Sequence, residues 1–117
     1  MALSPQDPRA DLVGVLHELA EEVGTDGDVQ VGTMFRSPGL RWKGKIVAFL
    51  GFDGELIVKL PRDRGQDLLA TGAAGPVTMG ERTMKEWFEL PAAASPDEAY
   101  RSWLPLVREA LAFVQQE

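Results

Sequence analysis

Two apolar runs on either side of a single Asp-Gly pair constrain this 117-residue chain more than any other feature. The stretch Leu40 to Pro61, LRWKGKIVAFLGFDGELIVKLP, places Ile46 to Leu50 before Asp53-Gly54 and Leu56 to Leu60 after it. Asp-Gly accepts positive φ at both central positions of a two-residue turn, and that turn's twist matches the flanking strands. The pair therefore predicts a β-hairpin. Ile46 to Leu50 is apolar at every position, the pattern of a central strand covered on both faces, or on one face and an edge. After the turn, Leu56, Val58 and Leu60 share one face, with Ile57 and Lys59 on the other. Upstream, Val31 to Phe35 reads as extended, Ser37-Pro38-Gly39 interrupts it, and Leu40 to Trp42 resumes it before a second turn at Lys43-Gly44. Such short connections predict three consecutive antiparallel strands, and Pro61, with no amide to donate, ends them.

Helical signals flank this block. Asp7-Pro8 pairs an N-cap with proline at the first helical position, and Leu12, Val13, Leu16, Leu19, Ala20 and Val23 follow at helical spacing. Gly24 is the expected stop through a left-handed residue, giving a helix over 8–23. Asp26-Gly27-Asp28 superficially suggests a calcium loop, but the third ligand, the glycine at position 6 and the distal Glu are out of register, so a turn is expected. Asp63 to Thr71 reads as a short helix with Leu68, Leu69 and Ala70 inward, weakened by Gly65. Gly72 to Pro76 is a glycine-rich loop, and Val77 to Met79 and Met84 to Leu90 are short strands. Ser95-Pro96-Asp97-Glu98 opens the last helix with serine at N-cap, proline at N1 and a capping box. Tyr100, Trp103, Leu104, Val107, Leu111 and Val114 form its apolar stripe to about Gln116, and Pro105 is expected to kink it. The predicted fold is a single α+β domain over 1–117. Its order is α-β-β-β-α-β-β-α, a mainly antiparallel sheet with helices packed on one face.

Several function classes fall away on composition. No cysteine is present, which removes thiol chemistry, thiolate zinc sites and iron–sulfur ligation and fits a reducing compartment. MALSPQDPRADL has neither a basic n-region nor an apolar h-region, and the longest wholly apolar run, Ile46 to Leu50, is too short to span a bilayer. A cytoplasmic location without membrane association is expected. The net charge of −6 divides unevenly: residues 1–28 carry −6, residues 29–64 carry +4 and residues 65–117 carry −4. An acidic chain repels phosphate backbones at long range, so the basic middle block is a local exception. Its bases, Arg36, Arg41, Lys43, Lys45, Lys59, Arg62 and Arg64, are the candidate interaction surface. The plainer reading of the same residues is a solvated sheet face paired with the acidic helices.

Catalytic patterns are missing. His17 is the lone histidine, set in mid-helix where a surface or boundary position is the ordinary expectation. No G-x-S-x-G elbow occurs, and Gly72-Ala73-Ala74-Gly75 lacks the lysine of a P-loop and the third glycine of a dinucleotide fingerprint. The pairs Glu21/Glu22 and Asp97/Glu98 are adjacent on helices and diverge. Trp42, Trp87 and Trp103 stand in apolar contexts and read as core or edge anchors rather than base-stacking platforms. No catalytic residue, cofactor or metal ligand is assigned.

With these elements in place, the chain resembles the N-terminal domain of the TfoX/Sxy family of bacterial competence regulators. The residues that carry the likeness are Thr33-Met34-Phe35, Gly39-Leu40, Gly44-Lys45 with its apolar strand, and Leu56-Ile57-Val58-Lys59-Leu60-Pro61. Met84 to Pro91 (MKEWFELP) resembles a family segment ending in an aromatic–Glu–Val–Pro run, and Trp103 with Ala110-Leu111-Ala112 resembles its last helix. Two departures stand out. Arg36-Ser37 replaces the usual glycine pair, and the 117 residues lack the helix-hairpin-helix-like second domain of full-length members. The resemblance implies a non-enzymatic regulatory or protein-interaction domain. It would be linked to transcriptional regulation of competence, with a protein partner in the transcription machinery and direct DNA contact left open. The alternative is a small-molecule binder or unrecognised enzyme with a pocket between the sheet and the last helix, near Trp87, Tyr100 and Trp103. A homodimer pairing an exposed strand edge is a third reading.

Overall fold

A computed structural model describes residues 9–34, 36–79 and 81–117. Among the described residues nine elements follow in order: α1 (Ala10–Val23), β1 (Val29–Met34), β2 (Ser37–Trp42), β3 (Lys45–Leu50), β4 (Leu56–Lys59), α2 (Arg62–Thr71), β5 (Gly75–Met79), β6 (Arg82–Leu90) and α3 (Pro96–Gln115). The fold is α+β, with one six-stranded sheet ordered β1-β2-β3-β4-β6-β5 and every pairing antiparallel. The three helices pack on one face of it, α1 against α3 and α2 over β6.

Four strands precede α2, one more than the sequence predicts. Ser37-Pro38-Gly39 does not interrupt a strand; it is the first half of β2, and the chain reverses just before it, at Arg36 with φ 62°. Pro38 therefore lies inside an interior strand, where proline removes a ladder donor. The Thr33 carbonyl opposite it accepts a hydrogen bond from Arg41 Nη2 at 3.0 Å.

The turns also exchange roles. Lys43 (φ 49°) and Gly44 (φ 81°) are the two-residue turn with both φ positive, joining Trp42 to its partner Lys45. At Asp53-Gly54 only glycine has positive φ, 88°. The Gly54 amide bonds the Gly51 carbonyl at 3.3 Å and the Gly51 amide bonds the Glu55 carbonyl at 2.8 Å. Phe52, Asp53 and Gly54 thus form a three-residue loop, a type I turn closed by a left-handed glycine.

Register explains the unbroken apolar run of β3. Gly39 faces Phe49 and Leu40 faces Ala48, but Arg41 faces Ile46, so Val47 is an extra, bulged residue. Val47 and Ala48 both enter the helix-side core, as do Leu50, Leu56, Val58, Phe88 and Leu90. Phe49 is buried too, but on the opposite face, edge-to-face with Trp87 at 5.6 Å.

Helix ends follow local chemistry. The expected Asp7-Pro8 start lies outside the described residues; within them α1 begins after Arg9, which makes no side-chain cap. Gly24 ends α1 in an extended conformation (φ −78°), not the left-handed one expected. Glycine suits that site because a Cβ would stand 2.8 Å from the Ala20 carbonyl oxygen and 3.2 Å from Val29 Cβ. In α2, Gly65 is buried because the Phe88 ring occupies the space of its missing Cβ, and Ala70, expected inward, is exposed. Gly72 (φ 79°) closes α2 in a Schellman motif, its amide on Leu69 O and that of Ala73 on Leu68 O. At α3, Ser95 Oγ accepts the Glu98 amide at 3.1 Å, and the Glu98 carboxylate accepts the Ala94 amide at 3.1 Å. This is a capping box displaced by one residue. Trp103, Val107 and Val114 of α3 and Leu16 and Leu19 of α1 are essentially inaccessible to water and form the centre of the core.

Candidate interaction surface

The seven predicted basic residues separate into groups. Arg36 sits exposed at the β1–β2 turn, in a backbone conformation that glycine adopts freely and arginine does not. Arg41 lies half-buried along Gly32 toward the Thr33 carbonyl, and its Nε is enclosed without a partner. At the opposite end of the sheet Lys43 rests on the Trp42 ring, Nζ 4.9 Å from its centroid. Trp42 is in turn held by its indole Nε1, which donates to Asp28 Oδ2 at 3.1 Å. Lys45 donates to the Glu117 carbonyl at 3.2 Å, and Lys59 pairs with the Glu117 carboxylate. Arg62, the first residue of α2, is exposed at this same end. Arg64 turns toward the helices and forks onto Glu109 at 2.7 and 3.2 Å, which raises its pKa above the ordinary value. The structure thus brings together Lys43, Lys45, Lys59 and Arg62, leaves Arg36 and Arg41 toward the other end, and pairs Arg64 with α3.

Lys85 and Trp87, absent from the predicted surface, adjoin this basic end. The ladder between β5 and β6 runs from Pro76↔Phe88 directly to Val77↔Met84, so Lys85, Glu86 and Trp87 have no partner on β5. This is a wide irregularity in the ladder. It opens a groove of about 420 Å³ lined by Lys59, Arg62, Thr83, Met84, Lys85, Glu86 and Trp87. Lys59 Nζ stands 5.9 Å from the Trp87 ring centroid.

A second cluster lies at the other end of the sheet. Arg9, buried at 7% exposure, donates to Ser37 Oγ at 3.1 Å and to the Gly51 carbonyl at 3.3 Å, and its guanidinium covers Phe52 at 5.5 Å. Phe52 itself is 72% exposed. Beside them Glu89 hydrogen-bonds Glu55; that bond, partial burial and the Glu55 charge raise the Glu89 pKa to about 6. Burial alone would raise Glu55, but the bond from Glu89, backbone amides including Asp53 N at 3.0 Å, and the charge of Arg9 hold it below its ordinary value. Two carboxyls pushed apart in this way share one proton near pH 6.

The aromatics expected around one pocket line three separate clefts. Trp103 borders one of about 340 Å³ with Leu90, Ala92 and Leu106, its indole N–H on the Pro91 carbonyl at 3.4 Å. Tyr100 borders another with Glu18, Glu21, Glu22 and Asp97, and Trp87 belongs to the basic groove. His17 is exposed on α1. Among the described residues no three His, Asp or Glu side chains gather as a metal site would require, and no helix is long and apolar enough to cross a membrane. No family model matches the chain, and no curated protein matches it.

Proposed function

We propose that this domain is a non-enzymatic interaction module of the TfoX N-terminal type, acting on transcriptional regulation through a protein partner that docks on the basic end of its sheet. The observation that carries the reading is the gathering of Lys43, Lys45, Lys59 and Arg62 at one end of a chain whose net charge is −6. Like charges collected against the overall sign favour an acidic partner surface and set its orientation. Lys43 and Arg62 are exposed and pair with no carboxylate among the described residues. The resemblance supplies the partner class; the charge placement supplies the surface.

The test is a pull-down from the native host with wild-type protein and a Lys43→Glu/Arg62→Glu variant. The expected result is a component of the transcription apparatus retained by the wild type and lost with the variant, whose fold is checked by circular dichroism. Equal retention by both proteins removes the basic end as the docking surface. A gel-shift at about 50 mM salt, where phosphate contacts are strongest, separates direct DNA contact from protein partnership.

A further inference from the structure

The groove at the β6 irregularity combines three features that serve different parts of one ligand. Among the described residues that line it, Lys59, Arg62 and Lys85 place three cations against the one carboxylate of Glu86. Arg62 and Lys85 are exposed and form no ion pair among the described residues. Trp87, half-buried and fixed edge-to-face against Phe49, lends its remaining surface to the groove wall. Thr83 adds a hydroxyl. A volume of about 420 Å³ falls within the range of small-molecule sites, roughly 300–1,000 Å³. An anion alone needs no aromatic wall, and an apolar ligand needs no cations. A phosphate attached to a planar base uses both: the base stacks on the indole while lysine and arginine receive the phosphate.

We propose that this groove binds a nucleotide unit, with Trp87 stacking the base and Arg62, Lys85 and Lys59 holding the phosphate. The inference goes beyond the interaction reading: the groove shares Lys59 and Arg62 with that surface, while Thr83, Lys85 and Trp87 belong to the groove alone. Lys59 pairs with Glu117, and this carboxylate competes with the incoming phosphate. The unit is either a free nucleotide or one residue of a single strand. The chain's net charge of −6 repels a long polyanion, which favours the free form.

The experiment titrates the intact chain at about 50 mM salt, where phosphate contacts are strong, with adenosine monophosphate, a short oligothymidylate and inorganic phosphate. Binding is followed by amide and indole NMR shifts. Saturable shifts at Arg62, Thr83, Lys85 and the Trp87 indole are expected with the mononucleotide. Lys85→Glu, by removing a phosphate contact, and Trp87→Leu, by removing the stacking face, each weaken binding about tenfold, or about 1.4 kcal/mol. Glu117→Gln strengthens binding by freeing Lys59. A response to the oligonucleotide alone supports the strand source, and a response to the mononucleotide supports the free one. Inorganic phosphate binding as tightly as the nucleotide and unaffected by Trp87→Leu overturns the proposal, as does the absence of shifts with either nucleotide ligand. Lys85 is exposed, so its variant keeps the test decisive if Trp87→Leu does not fold. Lys43→Glu, which probes the protein partner, should leave nucleotide binding unchanged.

Discussion

Glu55, one residue before β4, and Glu89 on β6 share a hydrogen bond that only a protonated carboxyl can donate. Glu89 carries the proton because its folded pKa, about 6, lies above its ordinary 4.5. Between those values the unfolded chain releases a proton that the folded one retains, so this group's contribution to stability declines as pH rises through the window. Glu55 acts in the opposite sense: its lowered pKa contributes stability above the ordinary value, lost as pH falls through the folded one. Glu89→Gln keeps a donor for Glu55 and removes the ionisation. It should therefore stabilise the protein at pH 7.5 and lose that advantage toward pH 4.5, as read by urea denaturation at both values. A wild-type and variant difference independent of pH would dismiss the shared proton. Neither carboxylate stands out in the sequence. Glu55 is part of a turn and Glu89 of an aromatic strand, and their meeting depends on β6 pairing with β4 across an intervening helix and strand.

Elements were legible where their signals are local. The Ser95 cap and the turn at Lys43-Gly44 are written in residues within four positions of each other. Mistakes fell where two local signals compete. Ser37-Pro38-Gly39 reads as a break because proline and glycine punctuate loops, yet Arg36 makes the turn and Gly39 is needed inside β2. A Cβ at Gly39 would stand 2.7 Å from Phe49 Cβ and 2.8 Å from Met34 Sδ, so that strand position is glycine by packing. Within α3, Pro105 leaves the Arg101 carbonyl without its helical donor while the helix continues to Gln115. Pro105 is exposed, so Pro105→Ala restores a hydrogen bond without disturbing the core. Stability should rise by about 1–2 kcal/mol, part of the roughly 3 kcal/mol that proline costs inside a helix. Chemical denaturation measures this; an unchanged or lower stability would show that proline at this position helps seat α3 on the sheet.

For the whole molecule, the helix-covered face concentrates the stabilising burial and the other face and the sheet ends carry the chemistry. Trp103 links α3 to the sheet core at 1% exposure and reaches the Pro91 carbonyl that closes β6. Trp103→Ala should cost about 3–5 kcal/mol through lost burial and the cavity left behind. A loss below about 1 kcal/mol in equilibrium unfolding would mean that α3 contributes little to the core. By contrast, the ion pair between Arg108 of α3 and Glu22 of α1 is half exposed, and pairs of that kind contribute little. The charge segregation visible in the sequence survives folding only in part. Of the seven bases in the middle block, the fold commits Lys59 and Arg64 to carboxylates of their own chain and moves Arg36 away from Lys43.

What the sequence by itself determined is the α+β class, the positions of the helices and most turns, and the excess of positive charge between residues 29 and 64. Those features follow from backbone preferences and side-chain periodicity over a few neighbouring residues. Only the tertiary structure decided that β6 inserts beside β4, that β3 bulges at Val47, and that β6 parts from β5 at Lys85 to Trp87. These depend on pairings between distant segments, where register is set by the competition of whole faces for the core. The Asp53-Gly54 hairpin shows both sides. Its location is local and was readable, but its loop took three residues rather than two because Gly51 and Glu55 close the ladder around it.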